Sequence, residues 1–139
     1  MAYKKLDGSE GATFTITSVN SVASGMVCRN YLGVDSSTQM DQTPVISDGV
    51  ATTTPAVTGI TTVTDNAMLA VMIGINSSST TITENDAKLT EAIENSGGKK
   101  CELDDDLFAT AGATDTFAYT LGGSRAWGGI VMALRPAAG

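Results

Sequence analysis

Residues 114–136 read Thr114-Asp-Thr-Phe-Ala-Tyr-Thr-Leu-Gly-Gly-Ser-Arg-Ala-Trp-Gly-Gly-Ile-Val-Met-Ala-Leu-Arg-Pro136, and this stretch decides the fold class. From Thr114 to Leu121 apolar and polar residues alternate, the period of a strand with one wet face. Gly122-Gly123-Ser124 then supplies a turn. The run from Arg125 to Leu134 is apolar without alternation, as in a strand buried on both faces. A core closed by the last strand points to an all-β protein, an antiparallel two-sheet β-sandwich.

Upstream the same grammar continues. Ala12-Thr-Phe-Thr-Ile-Thr-Ser18 alternates, with Phe14 and Ile16 on one face, and reads as a half-exposed strand. Residues 25–33 are apolar on both faces and read as a central strand ending in a Gly/Asp/Ser turn. Residues 41–54 are polar and should run over the surface, with a short edge strand at 45–50. Pro55 opens a Thr/Val strand to Thr64, Asp65-Asn66 turns, and 67–75 has the composition of a buried strand. Residues 84–95 have helical spacing in Ala87, Leu89, Ala92 and Ile93, but are read as a strand because one helix would find little to pack on. Residues 101–109 form a further strand with Leu103, Leu107 and Phe108 as its apolar members.

With 139 residues the chain is one domain, an N-terminal arm at 1–11 and a sandwich over 12–139. Only 17% of residues are charged against 42% hydrophobic, and much of the rest is Thr, Ser and Gly, which favours pleated strands and turns. A net charge of −7 argues against nucleic-acid binding, which is driven by Lys and Arg on phosphate. The first residues lack an apolar signal core, and 67–75 is too short to span a bilayer, so synthesis in a cytoplasm without membrane insertion is expected. Cys28 and Cys101 both sit in strand-like runs and are expected to be free, buried thiols.

The chain contains 0 histidines, which removes His-based triads and His-ligated zinc. Glu102, Asp104, Asp105 and Asp106 form an acidic run without the spacing of an EF-hand loop, and a solvated strand face or interface edge is expected there rather than a calcium site. Carboxylate pairs drawn from Glu84, Asp86, Glu91 and Glu94 have nothing to fix their separation, so no glycosidase geometry follows. Trp127 beside Arg125 would stack on a sugar if it faced solvent, although a core anchor at the start of the last strand is the stronger reading. Met26, Met40, Met68 and Met72 are expected mainly in the core. No catalytic, cofactor-binding or metal-binding residue is expected; Arg125, Trp127, Phe14 and Ile16 are the candidate ligand or interface residues.

Three stretches together resemble a jelly-roll domain that recurs in bacteriophage structural proteins and bacterial surface proteins. Tyr31-Leu-Gly-Val-Asp-Ser-Ser-Thr-Gln-Met-Asp41 is similar to that family's "Y-S-G-V-D-x-S-x-P-I-D" strand and turn. Thr61-Thr-Val-Thr-Asp-Asn-Ala-Met-Leu-Ala-Val71 is similar to its "T-T-x-x-D-N-x-L-x-x" strand, and 109–136 resembles its closing hairpin and terminal "A-L-x-P". The family carries further strands before the part that matches residues 3–18, so the resemblance implies a reduced sandwich or an edge completed by a neighbouring subunit. It also implies a non-enzymatic virion protein, made in the host cytoplasm and placed on the outer surface of the particle. Such a protein would decorate the capsid as a homo-oligomer, with the major capsid protein or other virion proteins as partners. The alternatives on the same fold are a tail-fibre or spike module that binds a host-surface glycan or receptor, and a filament subunit joined by strand donation.

Overall fold

The structure, a computed structural model, describes residues 4–6, 24–86, 89–95 and 98–138. Every regular element among them is a strand: β1 (Val45–Thr52), β2 (Ala56–Val57), β3 (Ala67–Ile75), β4 (Ile82–Glu84), β5 (Thr90–Glu94), β6 (Cys101–Phe108), β7 (Phe117–Leu121) and β8 (Arg125–Leu134). They form two sheets, of order β1-β8-β3-β6-β5 and β2-β7-β4. The first strand pairs with the last, the second with the last but one and the third with the last but two, all antiparallel. That is the pairing of a long hairpin rolled into a jelly roll. One departure concerns β5, which joins the free side of β6 rather than β4.

Register fixes two faces on the large sheet. Leu69, Val71, Ile73 and Ile75 of β3 lie opposite Ala133, Val131, Gly129 and Trp127 of β8, and this face meets Val57, Phe117, Tyr119, Leu121 and Ile82 of the small sheet. The sheets come close together at Gly129, where a Cβ would stand 2.5 Å from Val57 Cγ2 and 3.2 Å from the Met72 carbonyl. The other face carries Ala70, Leu103, Met132 and Leu134, all buried, so the large sheet is apolar on both sides. Part of the cover on that outer side is residues 24–34. Arg29 Nε (3.0 Å) and Tyr31 Oη (2.9 Å) both donate to Asp105 Oδ2.

This arrangement corrects several expectations. Residues 25–33 form no strand; their apolar side chains cross a sheet face instead of joining the ladder, which leaves Met26 and Cys28 exposed and Leu32 90% exposed. Met26 is therefore not core, whereas Met40, Met68 and Met72 are half-buried. Of the strand expected from Pro55 to Thr64 only β2 and an isolated bridge from Thr61 to Ala113 form. Residues 84–95 are divided between β4 and β5, which belong to different sheets. β7 and β8 do not make a hairpin, because Gly122-Gly123-Ser124 carries the chain from one sheet to the other. Gly122 presses on Thr81 in this corner, donating its N–H to the Thr81 carbonyl at 3.1 Å. The strand reading of 12–18, with Phe14 and Ile16, lies outside the described residues.

A methyl group at Gly129, between the two sheets, has no room. Gly129→Ala should cost about 1–3 kcal/mol in chemical denaturation, while Gly123→Ala in the corner turn, where an added Cβ meets nothing nearer than Arg125 Nη2 at 4.0 Å, should stay within about 0.5 kcal/mol of the parent.

Candidate functional site

The three stretches that carry the family resemblance converge on one end of the sandwich. Residues 33–41 run beside the end of β8: Asp35 N–H donates to the Arg135 carbonyl (2.9 Å), Arg135 N–H to the Gln39 carbonyl (2.9 Å) and Asp41 N–H to the Ala133 carbonyl (2.8 Å). Gly33, with φ of 71°, makes the bend that admits this path. The Asp35 carboxylate closes a tight turn by accepting from Ser37 N–H (2.7 Å), Ser37 Oγ (2.7 Å) and Thr38 N–H (3.0 Å). Those bonds hold its carboxyl down to about 2, the Ser37 hydroxyl first among them. Asp41 is fully buried as a side chain, accepts from Val63 N–H (2.6 Å) and Thr64 N–H (3.3 Å), and lies 3.4 Å from Arg135 Nε. Burial pushes its carboxyl up, but the Thr64 hydroxyl, the two N–H groups and Arg135 together outweigh that and leave it low. Asp65 Oδ1 accepts from Ala111 N–H at 2.7 Å, and Asn66 takes φ of 59° in the expected turn. These motif residues work as a clip that ties the end of β8 down.

The acidic run is not the solvated face that its composition suggests. Register places Glu102, Asp104 and Asp106 on the inner side of β6, and Glu102 and Asp104 are buried between the sheets, while Asp105 points to the outer side. Tyr119 Oη donates to Asp104 Oδ2 at 2.6 Å, and Glu84 lies on the same inner side of the small sheet, receiving the N–H of Asp86. Burial, then the neighbouring Asp104, Glu102 and Glu84, push the Tyr119 phenol far above its ordinary range. Burial is also the main cause that raises the Glu84 carboxyl, helped by the negative charge of Asp104 and Asp86 and opposed by the Asp86 N–H. Alternation along β6 explains the miss: a strand sends every second residue inward whatever its charge. Among the described residues no group of His, Cys, Asp and Glu is arranged to hold a metal ion.

Of the candidate ligand residues, Trp127 is half-buried and packs against the core, with Gly49 of β1 opposite its indole. Arg125 is exposed, but Nε donates to Thr80 Oγ1 (3.0 Å) and Nη1 to the Ser124 carbonyl (2.8 Å). The structure thus brings no open aromatic platform together at these two residues.

The surface that stands out is a sheet edge. Among the described residues β1 and β5 are the two edge strands of the large sheet, the position expected for 45–50. Its Ile46 is 76% exposed and its Val50 87% exposed, with exposed Asp48 between them. Across the ladder Asp48 faces Gly128, which has no side chain to shield it. The signal for this surface was the alternation Ile46, Asp48, Val50 within an edge segment. A second apolar feature is a shallow groove of about 200 Å³ near the clip, lined by Leu32, Met68, Leu107 and Leu134 among others. Comparison with protein-family models, with curated proteins and with solved structures gives no match for this chain.

Three outcomes are expected. Tyr119→Phe removes a bond to a buried carboxylate and should cost about 2 kcal/mol in denaturant titration. Asp35 and Asp41 bind protons less readily folded than unfolded, so their stabilisation is present above the ordinary carboxylate range near 4 and is lost as pH falls toward about 2. A denaturation midpoint followed over that window should drop, and the drop should shrink in Asp35→Asn. Glu84 has the opposite sign, since its raised carboxyl opposes folding once ionised. Glu84→Gln should therefore raise the midpoint at neutral pH and lose that advantage in acid.

Proposed function

We propose that this chain is a non-enzymatic structural protein of a bacteriophage virion that decorates the outside of the capsid as a homo-oligomer. The observation that carries the reading is the exposed apolar edge at Ile46 and Val50, because a sheet edge with uncovered aliphatic side chains is a surface suited to being covered in an assembly. The resemblance of 31–41, 61–71 and 109–136 to a phage jelly-roll domain supplies the setting. Asp35, Asp41, Asp65 and Arg135 of these stretches serve the clip, and among the described residues no strand pairs with the outer side of β1. The net charge of −7 favours the outside of a particle over the side that meets packaged nucleic acid. In this reading the protein stabilises the shell by bridging capsid subunits, with the apolar edge at the contact and the acidic surface toward solvent.

Quantitative mass spectrometry of purified particles gives the copy number of the chain relative to the major capsid subunit. Hundreds of copies are expected. A handful would overturn capsid decoration in favour of a tail-fibre or spike module, and complete absence from particles would leave the filament subunit as the assembly role.

A further inference from the structure

The β1 edge specifies the chemistry of what covers it. Alternate N–H and C=O groups of an edge strand point away from its one neighbour and form a template for another strand. β1 contains neither Lys nor Pro within Val45–Thr52, the residues that ordinarily blunt such an edge. Its register with β8 is regular from Val45 to Gly49 and shifts between Gly49 and Thr52, so an added strand would run beside 45–49 with Val50 at its end. Ile46, Asp48 and Val50 then present one apolar, one anionic and one apolar position in a row.

A second copy of the chain fits this row poorly. Antiparallel pairing of β1 with itself that matches Ile46 to Val50 sets Asp48 directly across from Asp48, and like charges in that position are destabilising. Two chains of net charge −7 add to the repulsion. A cation opposite Asp48 turns the same position into an attraction.

We propose that the β1 edge accepts, by strand addition, an extended segment of another protein in which a Lys or Arg is flanked two residues away on each side by apolar residues. Backbone hydrogen bonds hold the segment, the apolar pair covers Ile46 and Val50, and the cation meets Asp48. The inference rests on the chain being part of an assembly, but not on that assembly being a capsid.

The test uses the full chain and two synthetic peptides, Thr-Val-Thr-Lys-Thr-Val-Thr and its counterpart with Glu in place of Lys, followed by amide NMR shifts at up to millimolar peptide. The Lys peptide should shift amides within 45–50 and bind about fivefold more tightly or better than the Glu peptide. In Asp48→Lys, an exposed substitution that should leave the fold intact, the preference should invert. No shift with either peptide, equal binding of both, shifts centred outside 45–50, or dimerisation of the free protein through β1 in sedimentation would each overturn the proposal. None of these outcomes bears on the copy number in particles, so the two readings fail separately.

Discussion

The rest of the structure depends on one constraint: β3 and β8 are apolar on both faces, so the large sheet has to be covered twice. The inner cover is the small sheet, seated so closely that only glycine fits at position 129. On the outer side, Tyr31 and Arg29 reach across to Asp105 and hold residues 24–34 against β6. A sheet with one wet face would need neither the crossing segment nor the clip that follows it.

The clip explains why a polar, turn-rich motif matters in a chain with so few charges. Asp41 is buried and ionised beside Arg135 while it accepts two backbone N–H groups. A buried charge is tolerated when it is paired and hydrogen-bonded in this way, and removing a partner is costly. The bonds of Asp35 and Gly33 set the path that brings Asp41 there. The motif residues thus secure the end of β8, the strand that forms ladders with both β1 and β3.

A second set of carboxylates lies between the sheets. Glu102 and Asp104 come inward because β6 alternates, and the Tyr119 phenol supplies Asp104 with a short bond from the opposite sheet. Burial raises the Glu84 carboxyl, whereas hydrogen bonds and Arg135 hold the clip aspartates low, so the two sets respond to pH in opposite directions. By contrast β1 keeps Ile46 and Val50 in water, and that mismatch between surface and solvent is what directs attention to assembly.

Local pattern, segment length and turn residues identified β3 with its bounds at 67–75, the alternation of β7, the two-faced burial of β8, the edge position of 45–50 and the turn at Asp65-Asn66. Each depends on local pattern and turn chemistry, which a sequence carries directly. Tertiary structure decided whether an apolar run joins a ladder or lies across one, and this separated residues 25–33 from β3 despite similar composition. It also decided which face of β6 looks inward, and so turned an acidic run into a buried cluster. The sheet assignment of β7 and β8 followed from packing as well, because a Gly turn permits both a hairpin and a corner. Burial of the large sheet on both faces selected the corner, since β8 had to lie between β1 and β3 while β7 covered them from the other sheet.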